Sequence, residues 1–237
     1  MYRIKKFTNN KTAIIPPCTS LPSWWFVKMF PNKKNLLKKL DNKDKILLDY
    51  KNNFIGMTLW LSSVIKKPGH VVIKHVQRGY PLKEINKKMK IKAQYLRDVL
   101  GKKCKSPKPK NIFSEIYTKA INSFVFNLVA LKTEKNNSQI LKDKNSIALI
   151  HAIMKEFDDI ILELNLPIPQ SINERIRQTL SSNRHTLSML TDYKDGKKVE
   201  LKYSWNTFNR LLNITNKRAP LTNKIYKLVK NKIRSQL

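Results

Sequence analysis

Lysines are the side chains that this sequence concentrates, and they are densest between residues 87 and 110. That stretch contains ten basic residues and one acidic residue. Ammonium groups at this density form salt-dependent contacts with phosphate oxygens without reading the bases. The lysines that we expect to contact RNA are Lys87, Lys88, Lys90, Lys92, Lys102, Lys103, Lys105, Lys108 and Lys110.

The charge of the whole chain indicates the same kind of partner. Its 237 residues carry 48 basic and 16 acidic side chains, a net charge of +32. Residues 1–110 hold 27 of the basic and 5 of the acidic side chains. Self-repulsion of this size favours a polyanionic partner, and rRNA or mRNA fits that description. Because 41% of the residues are apolar, the chain still has the composition of a folded protein.

The placement of glycine excludes two kinds of nucleotide site. The glycines are at positions 56, 69, 79, 101 and 196, so no two lie closer than ten residues. A dinucleotide-binding turn and a P-loop both need glycines clustered within about six positions, because the backbone must approach the phosphates closely. We therefore expect no bound cofactor.

The cysteines and histidines show no metal-ligand spacing. Cys18 and Cys104 are far apart and are expected to be free thiols in a reducing compartment. His70, His75 and His185 stand alone, and His151 falls on an apolar helical stripe, where we expect a satisfied core histidine. We expect no metal site.

The first part of the chain predicts an arm. Its first forty residues contain nine basic residues and no acidic one, which is typical of a mitochondrial targeting segment or of a basic arm retained on the protein. Prolines surround Trp24–Trp25–Phe26, so we predict an irregular segment followed by a short helix at 36–50. The two tryptophans could stack on bases, anchor in a protein groove or belong to the domain's own core.

The middle of the chain predicts a small sheet. FIGMTLWL at 54–61 and HVVIKHV at 70–76 are strand-like, and KKPG between them is typical of a turn. The prolines of KSPKPK at 105–110 prevent a helix and indicate a linker.

The second half predicts an all-α bundle. Apolar residues from 147 to 164 follow helical spacing, and Ser171 with Glu174 forms a capping-box pattern before INERIRQTL. Two more helices are expected at about 199–213 and 221–234. No apolar run is long enough to span a membrane. The predicted parts are a basic irregular arm (1–50), a small α/β remnant with a basic linker (51–110) and an all-α domain (111–237), so the fold class is mainly α.

Over roughly residues 52–234 the chain resembles the ketopantoate reductases (2-dehydropantoate 2-reductases). The stretch LSMLTDYKDGKKVELKYSWNTFNRLLNITNKRAPLTNKIYKLVK is similar to the family's Ser-Met pair, Asp, basic turn and Glu before a long helix, and then its Pro and Asn. IYTKAINSFVFNLVAL resembles the helix in which a Lys is followed, four and eight residues later, by Asn. GMTLWLSSVIKKPGHVVI resembles the end of the nucleotide-binding domain.

The resemblance implies roles for four residues. Lys119 would be the general acid of ketone reduction, and Asn127, Ser188 and Glu200 would position the substrate. Three departures from the family pattern stand out. Ser123 replaces the first Asn, the Gly expected after the start of the Glu helix is missing near Trp205, and most of the nucleotide-binding domain, with its glycine fingerprint, is missing. Lys119 could equally be a solvated or RNA-facing lysine. Glu200 could equally cap a helix or form an ion pair.

Hypotheses from two classes remain. The first is a non-enzymatic, RNA-associated structural protein derived from a reductase scaffold. It would be a component of the mitochondrial ribosome in the matrix, beside neighbouring ribosomal proteins, or alternatively an mRNA-specific translational activator. The other class is a divergent reductase with residual ketoacid and NADPH chemistry, which the scattered glycines argue against. We therefore predict no enzyme activity and vestigial roles for the four matched residues. DNA or an anionic membrane surface would suit the charge, but no DNA-binding motif or large apolar face accompanies it.

Overall fold

The computed structural model describes residues 7–17, 19–33, 35, 52–180 and 186–235. Cys18, His185 and the helix expected at 36–50 lie outside these ranges. The chain divides into two compact units, Met1–Lys119 and Ala120–Leu237. The predicted boundaries at 50 and 110 stay predictions.

The first unit combines short helices with antiparallel strands. Its elements are helix α1 (Ser23–Met29), strands β1 (Ile55–Met57), β2 (Trp60–Lys67), β3 (His70–Gly79) and β4 (Leu82–Glu84), a 3-10 turn at Lys87–Met89 and helix α2 (Lys90–Gly101). Helix α3 (Ile112–Thr133) begins in this unit and continues into the second. One apolar cluster joins β1, β4 and α2, and its buried members are Ile55, Met57, Leu82, Met89 and Ala93.

Helix α1 supplies the largest side chains of the first unit's core. Trp24 and Trp25 are 1% and 0% exposed. Trp24 stacks on Phe54 with ring centroids 6.0 Å apart, and the Trp25 indole N–H donates a hydrogen bond of 3.1 Å to the Phe113 carbonyl oxygen. Of the three roles considered for the tryptophans, the structure supports the core. The segment is helical rather than irregular because the apolar run 24–27 is buried as one turn.

Strands β2 and β3 form a two-stranded ribbon. Their register runs from Trp60 opposite Gly79 to Lys67 opposite His70, with the turn at Pro68–Gly69 as predicted. The single strand expected at 54–61 is divided in two, because β1 pairs with β4 instead of with β3. Alternating hydrophobicity predicts a strand but does not identify its partner.

The segment predicted as a linker forms backbone hydrogen bonds with residues 80 and 82 of the same unit. The backbone N–H of Tyr80 donates to the Lys105 carbonyl at 2.8 Å, and that of Leu82 donates to the Pro107 carbonyl at 3.2 Å. Prolines lack an N–H but keep a carbonyl acceptor, so this composition permits one-sided pairing. Gly79 precedes the contact at a φ of +69°, and a Cβ there would collide with the Lys105 backbone.

The described residues of the second unit form helices joined by short connections, and none of them is in a strand. After the remainder of α3 come α4 (Asn137–Lys142), α5 (Lys144–Glu163), α6 (Ile172–Leu180), α7 (Ser188–Lys194), α8 (Leu201–Thr215) and α9 (Pro220–Arg234). Aromatic rings form its centre. The ring centroids of Phe124 and Phe208 are 5.0 Å apart, and those of the stacked Trp205 and Tyr226 are 4.6 Å apart. The fold is mainly α with a small α/β part, as predicted.

Local predictions in the second unit are largely confirmed. Ser171 and Glu174 exchange capping hydrogen bonds before α6, and α8 and α9 lie within two residues of the expected positions. The prediction for His151 is wrong, because this residue is exposed on α5 although Ile150 and Ile153 beside it are buried. Only the central part of the apolar stripe on α5 is buried, and His151 lies outside that part.

Two kinds of feature are absent from the described residues. No helix there is both long and apolar enough to cross a membrane. No group of three or more His, Cys, Asp or Glu residues there could hold a metal ion. Cys104, the cysteine that the structure describes, is a free thiol.

Candidate active site

Lys119 lies on α3 within the first unit, and its amine rests on an aromatic ring. Its Nζ is 4.7 Å from the ring centroid of Trp60, a residue of β2 that is 2% exposed. The lysine is half-buried, and burial lowers its pKa from 10.5 to about 8. Desolvation disfavours the ammonium form, while the ring face partly stabilises it. The result is an amine that is protonated at neutral pH and releases its proton readily.

A carboxylate one helical turn before Lys119 is already engaged. Glu115, whose side chain is 3% exposed, accepts a hydrogen bond of 2.7 Å from the Trp60 indole N–H. Arg78 of β3 brings its Nη1 to 2.9 Å from Oε1 and donates from Nη2 to Oε2 at 3.0 Å. The Arg78 guanidinium also lies over the Trp60 ring, 5.6 Å from its centroid. Trp60, Arg78 and Glu115 therefore form a clamp beside the lysine, in which Trp60 and Glu115 are buried and Arg78 is half-buried.

Asn127 and the start of α7 are brought together in the second unit. Asn127 is 4% exposed, and its Oδ1 accepts a hydrogen bond of 3.2 Å from the backbone N–H of Met189. Its Nδ2 donates to the Ser123 carbonyl at 2.7 Å. Both ends of the amide are thus occupied, and the amide fixes the first turn of α7, where the exposed Ser188 lies.

Glu200 stands apart from this arrangement. It is exposed and immediately precedes α8, but its side chain makes no capping hydrogen bond. The alternative that it caps a helix is therefore wrong. Lys119 belongs to the first unit and the other three matched residues belong to the second, so the structure groups only Asn127 with the segment at Ser188.

The nine lysines predicted to contact RNA are all exposed. Three of them have recorded partners within the first unit. The Lys88 amine donates to the Asn10 carbonyl at 2.8 Å, the Lys92 amine donates to the Lys11 carbonyl, and Lys108 lies 3.6 Å from Glu84. These contacts neutralise little of the charge, and the RNA contacts remain a prediction.

Comparison with known proteins identifies the helical part of the chain. A family model described as the C-terminal domain of ketopantoate reductase PanE/ApbA matches residues 111–233. The chain belongs to the ketopantoate reductase family. That match begins next to α3 and ends within α9. It therefore includes the four residues that the sequence resemblance selected.

Individual ketopantoate reductase relatives extend the similarity over nearly the whole chain. A 2-dehydropantoate 2-reductase of Mesorhizobium japonicum is 22% identical over 233 residues, 96% of this chain and 71% of that protein. A crystal structure assigned as a ketopantoate reductase of Ralstonia solanacearum MolK2 has a TM-score of 0.78 at 19% identity, covering 95% of this chain and 69% of its own. D-mandelate dehydrogenase with NADH has a TM-score of 0.75 at 17% identity, covering 99% and 74%. These two structures establish the fold.

The relatives correct one prediction. The chain was expected not to be an enzyme, yet the family and the relatives named above are reductases or dehydrogenases, which are oxidoreductases. The expectation of a non-enzyme is therefore wrong. It relied on the missing glycine fingerprint, which concerns one cofactor-binding turn and not the helical domain that carries the matched residues.

The described residues do not fit a nicotinamide dinucleotide of the kind seen in the D-mandelate dehydrogenase structure. A Cβ at Gly56 would meet Ile112, Ile85 and Trp24, and one at Gly79 would meet the Lys105 backbone. These two glycines make room for the protein's own chain. The other three, at 69, 101 and 196, lie separately in open space. No glycine-lined turn is left among the described residues to receive a pyrophosphate.

The sequence did not single out Trp60, Arg78 and Glu115. Glu115 stands four residues before Lys119, and this helical spacing was a usable signal for a neighbouring charge. Trp60 and Arg78 lie 55 and 37 residues before Glu115. No local pattern links residues so far apart, since the pairing of β2 with β3 brings them to α3.

Proposed function

We propose that the chain takes part in the reduction of a 2-oxo acid, such as 2-dehydropantoate, to the 2-hydroxy acid. In this reaction the carbonyl carbon takes a hydride from a reduced donor such as a dihydronicotinamide, which the described residues do not hold, and the Lys119 ammonium gives its proton to the carbonyl oxygen and becomes the neutral amine. The observation that carries the proposal is the half-buried Lys119 amine over Trp60, with a pKa of about 8. A general acid works best when its pKa lies near the working pH. The relative from M. japonicum, named a 2-dehydropantoate 2-reductase, supports this substrate class.

The surroundings of Lys119 determine how it acts. At pH 7 the amine is mostly ammonium, so it can hydrogen-bond to a carbonyl oxygen and stabilise the negative charge that develops there. Above pH 8 it becomes neutral, and both contributions decline. The family resemblance assigns Asn127, Ser188 and Glu200 to substrate positioning. Asn127 does so indirectly, because its amide holds the turn that presents Ser188.

The test of this proposal is binding of 2-dehydropantoate to the full chain, measured by calorimetry at pH 7 and pH 9.5. Wild-type protein should bind more tightly at pH 7. Lys119→Met should weaken binding at pH 7 by about 10-fold to 100-fold, since a charged hydrogen bond contributes about 1.5–3 kcal/mol. Lys119→Arg, the matched control, retains the charge and should bind at both pH values alike. Absence of binding by the wild type, or equal binding by Lys119→Met, would overturn the proposal.

We propose RNA association as a second function, carried by the exposure of all nine predicted lysines. Within a chain of +32 charge, these exposed ammonium groups are suited to contacts with phosphates. The proposed setting is the mitochondrial matrix. The partners there are rRNA with neighbouring ribosomal proteins or, as the alternative, an mRNA whose translation the protein activates. Ammonium contacts to phosphate place no demand on the base sequence.

The test compares two sets of charge reversals to Glu in binding to single-stranded RNA across a salt series. The test set is Lys102, Lys103, Lys105, Lys108 and Lys110. The matched control set, on exposed positions of the second unit, is Lys142, Lys155, Lys198, Lys224 and Lys227. In the test set the slope of log affinity against log salt, which is negative, should become less steep by up to about 3.5, at roughly 0.7 per lost contact. Equal slopes for both sets would refute a specific role for the lysines of the test set. Sedimentation of tagged protein with a ribosomal subunit, with and without ribonuclease, then tests the setting.

A further inference from the structure

Lys119 has a carboxylate one helical turn away on its own helix but does not pair with it. Glu115 and Lys119 are separated by four residues on α3, with the acid nearer the N-terminus of the helix. This spacing and order favour a direct ion pair on a helix. Yet no ion pair of Lys119 is present among the described residues, and the lysine lies on the Trp60 ring instead.

The reason is that both oxygens of Glu115 have stronger partners. Arg78 approaches Oε1 at 2.9 Å and donates to Oε2 at 3.0 Å, while the Trp60 N–H adds a bond of 2.7 Å to Oε1. A guanidinium can meet two carboxylate oxygens at once, whereas an ammonium is a single point charge. Arg78 therefore occupies the site on Glu115 that Lys119 would otherwise take.

We propose that Arg78 is a positioning residue for Lys119. By holding Glu115, it keeps that carboxylate from pairing with the Lys119 amine and so leaves the amine on the Trp60 ring, free to meet a carbonyl group. That a substrate uses this amine rests on the proposed function. The positioning of Lys119 by Arg78, Glu115 and Trp60 is independent of that function.

The charges around the amine can be followed element by element. Strand β2 contributes the neutral Trp60, β3 contributes Arg78, and α3 itself contributes Glu115. The Arg78 cation and the Glu115 anion neutralise each other in contact. Lys119 then experiences burial without a compensating anion, and this agrees with burial as the cause of its lowered pKa.

Removing Arg78 should reverse this condition. In Arg78→Met the Glu115 carboxylate stays buried and loses its cation, and the nearest replacement is the ammonium of Lys119 one turn away. An opposite charge at contact distance favours the ammonium form. We expect the pKa of Lys119 to rise by at least one pH unit. In the double variant Arg78→Met, Glu115→Gln, no carboxylate remains and the pKa should return to about 8.

The experiment measures the pKa of Lys119 directly in the full chain. The protein is labelled briefly with acetic anhydride at a series of pH values, and the acetylated fraction of Lys119 is read by peptide mass spectrometry. The exposed Lys90 in the same samples is the reference for reagent reactivity. A high pKa in Arg78→Met that the double variant reverses supports the inference, because a merely structural disturbance would not be reversed by removing a second buried group.

Two results would overturn it. One is an unchanged Lys119 titration in folded Arg78→Met. The other is a wild-type titration at pH 10 or above, which would mean that Glu115 already pairs with Lys119. This second result decides the matter even if the variant does not fold. Labelling requires no substrate, so failure of 2-dehydropantoate to bind would refute the proposed function and leave the role of Arg78 intact.

Discussion

Replacing Lys119 by methionine should stabilise the folded protein at pH 7. Burial lowers the pKa of Lys119 from 10.5 to about 8, which corresponds to at most about 3.4 kcal/mol because one pH unit is about 1.4 kcal/mol. The amine is half-buried, so solvent screening reduces this figure. Methionine also loses the cation–π contact with the Trp60 ring, which reduces the expected stabilisation by about 1 kcal/mol. A net gain of about 1–2 kcal/mol is expected, since methionine retains the apolar part of the side chain.

The pH dependence of this gain gives the prediction its sharpest form. Below pH 8 Lys119 is protonated in both folded and unfolded chains, so the folded state bears the full burial penalty. Between pH 8 and 10.5 only the unfolded chain holds the proton, and wild-type stability contributed by this group rises with pH. Above 10.5 the penalty is gone. The advantage of Lys119→Met over wild type should therefore be greatest at pH 7 and should shrink between pH 8 and 10.5.

Urea unfolding of both proteins at pH 7, 8, 9 and 10 measures this difference, and the subtraction cancels the titration of every other group. A variant less stable than wild type at pH 7 would refute the claim that the amine is held at a desolvation penalty. A constant difference over the series would refute the lowered pKa. Lys119→Arg is the control, because it keeps a permanent charge at the same position.

Two further pairs of substitutions test contacts with the backbone. Gly79→Ala should destabilise the first unit by about 2–4 kcal/mol in urea unfolding, because a Cβ would meet the Lys105 backbone at a φ of +69°. Gly69→Ala, at a similar φ in open space, should lose only about 1 kcal/mol, and equal losses would contradict the close approach. Asn127→Ala should lose about 1–2 kcal/mol because it frees the Met189 N–H, whereas Ser123→Ala should stay within about 0.5 kcal/mol. Similar losses for these two would contradict the role of the amide.

Local patterns predicted the helical half well. The capping pair Ser171 and Glu174 and the apolar spacing of α5 act over a few residues, and each appears in the structure as expected. Burial also depends on neighbours that the pattern does not show. His151 was therefore placed in the core, although it lies at the edge of the buried stripe.

The candidate site was only partly predictable. Lys119 was selected because a run of residues on its own helix resembled a family pattern. The side chains that set its properties, Trp60 and Arg78, come from strands whose pairing depends on tertiary contacts. The same limit affected the proline segment at 105–110. Its composition is typical of a linker, and only its hydrogen bonds with residues 80 and 82 show that its backbone is held in place.

These hydrogen bonds also affect how the basic segment would bind phosphate. The carbonyls of Lys105, Pro107 and Lys110 accept hydrogen bonds from Tyr80, Leu82 and Lys83 of the same unit. The ammonium groups of Lys105, Lys108 and Lys110 therefore extend from a backbone whose conformational entropy is lost during folding rather than on association. A basic tail that is ordered only by its ligand gives up part of its affinity to that ordering. Preorganisation of this segment favours tight phosphate contacts from few lysines, and those contacts should form at rates set by diffusion and charge.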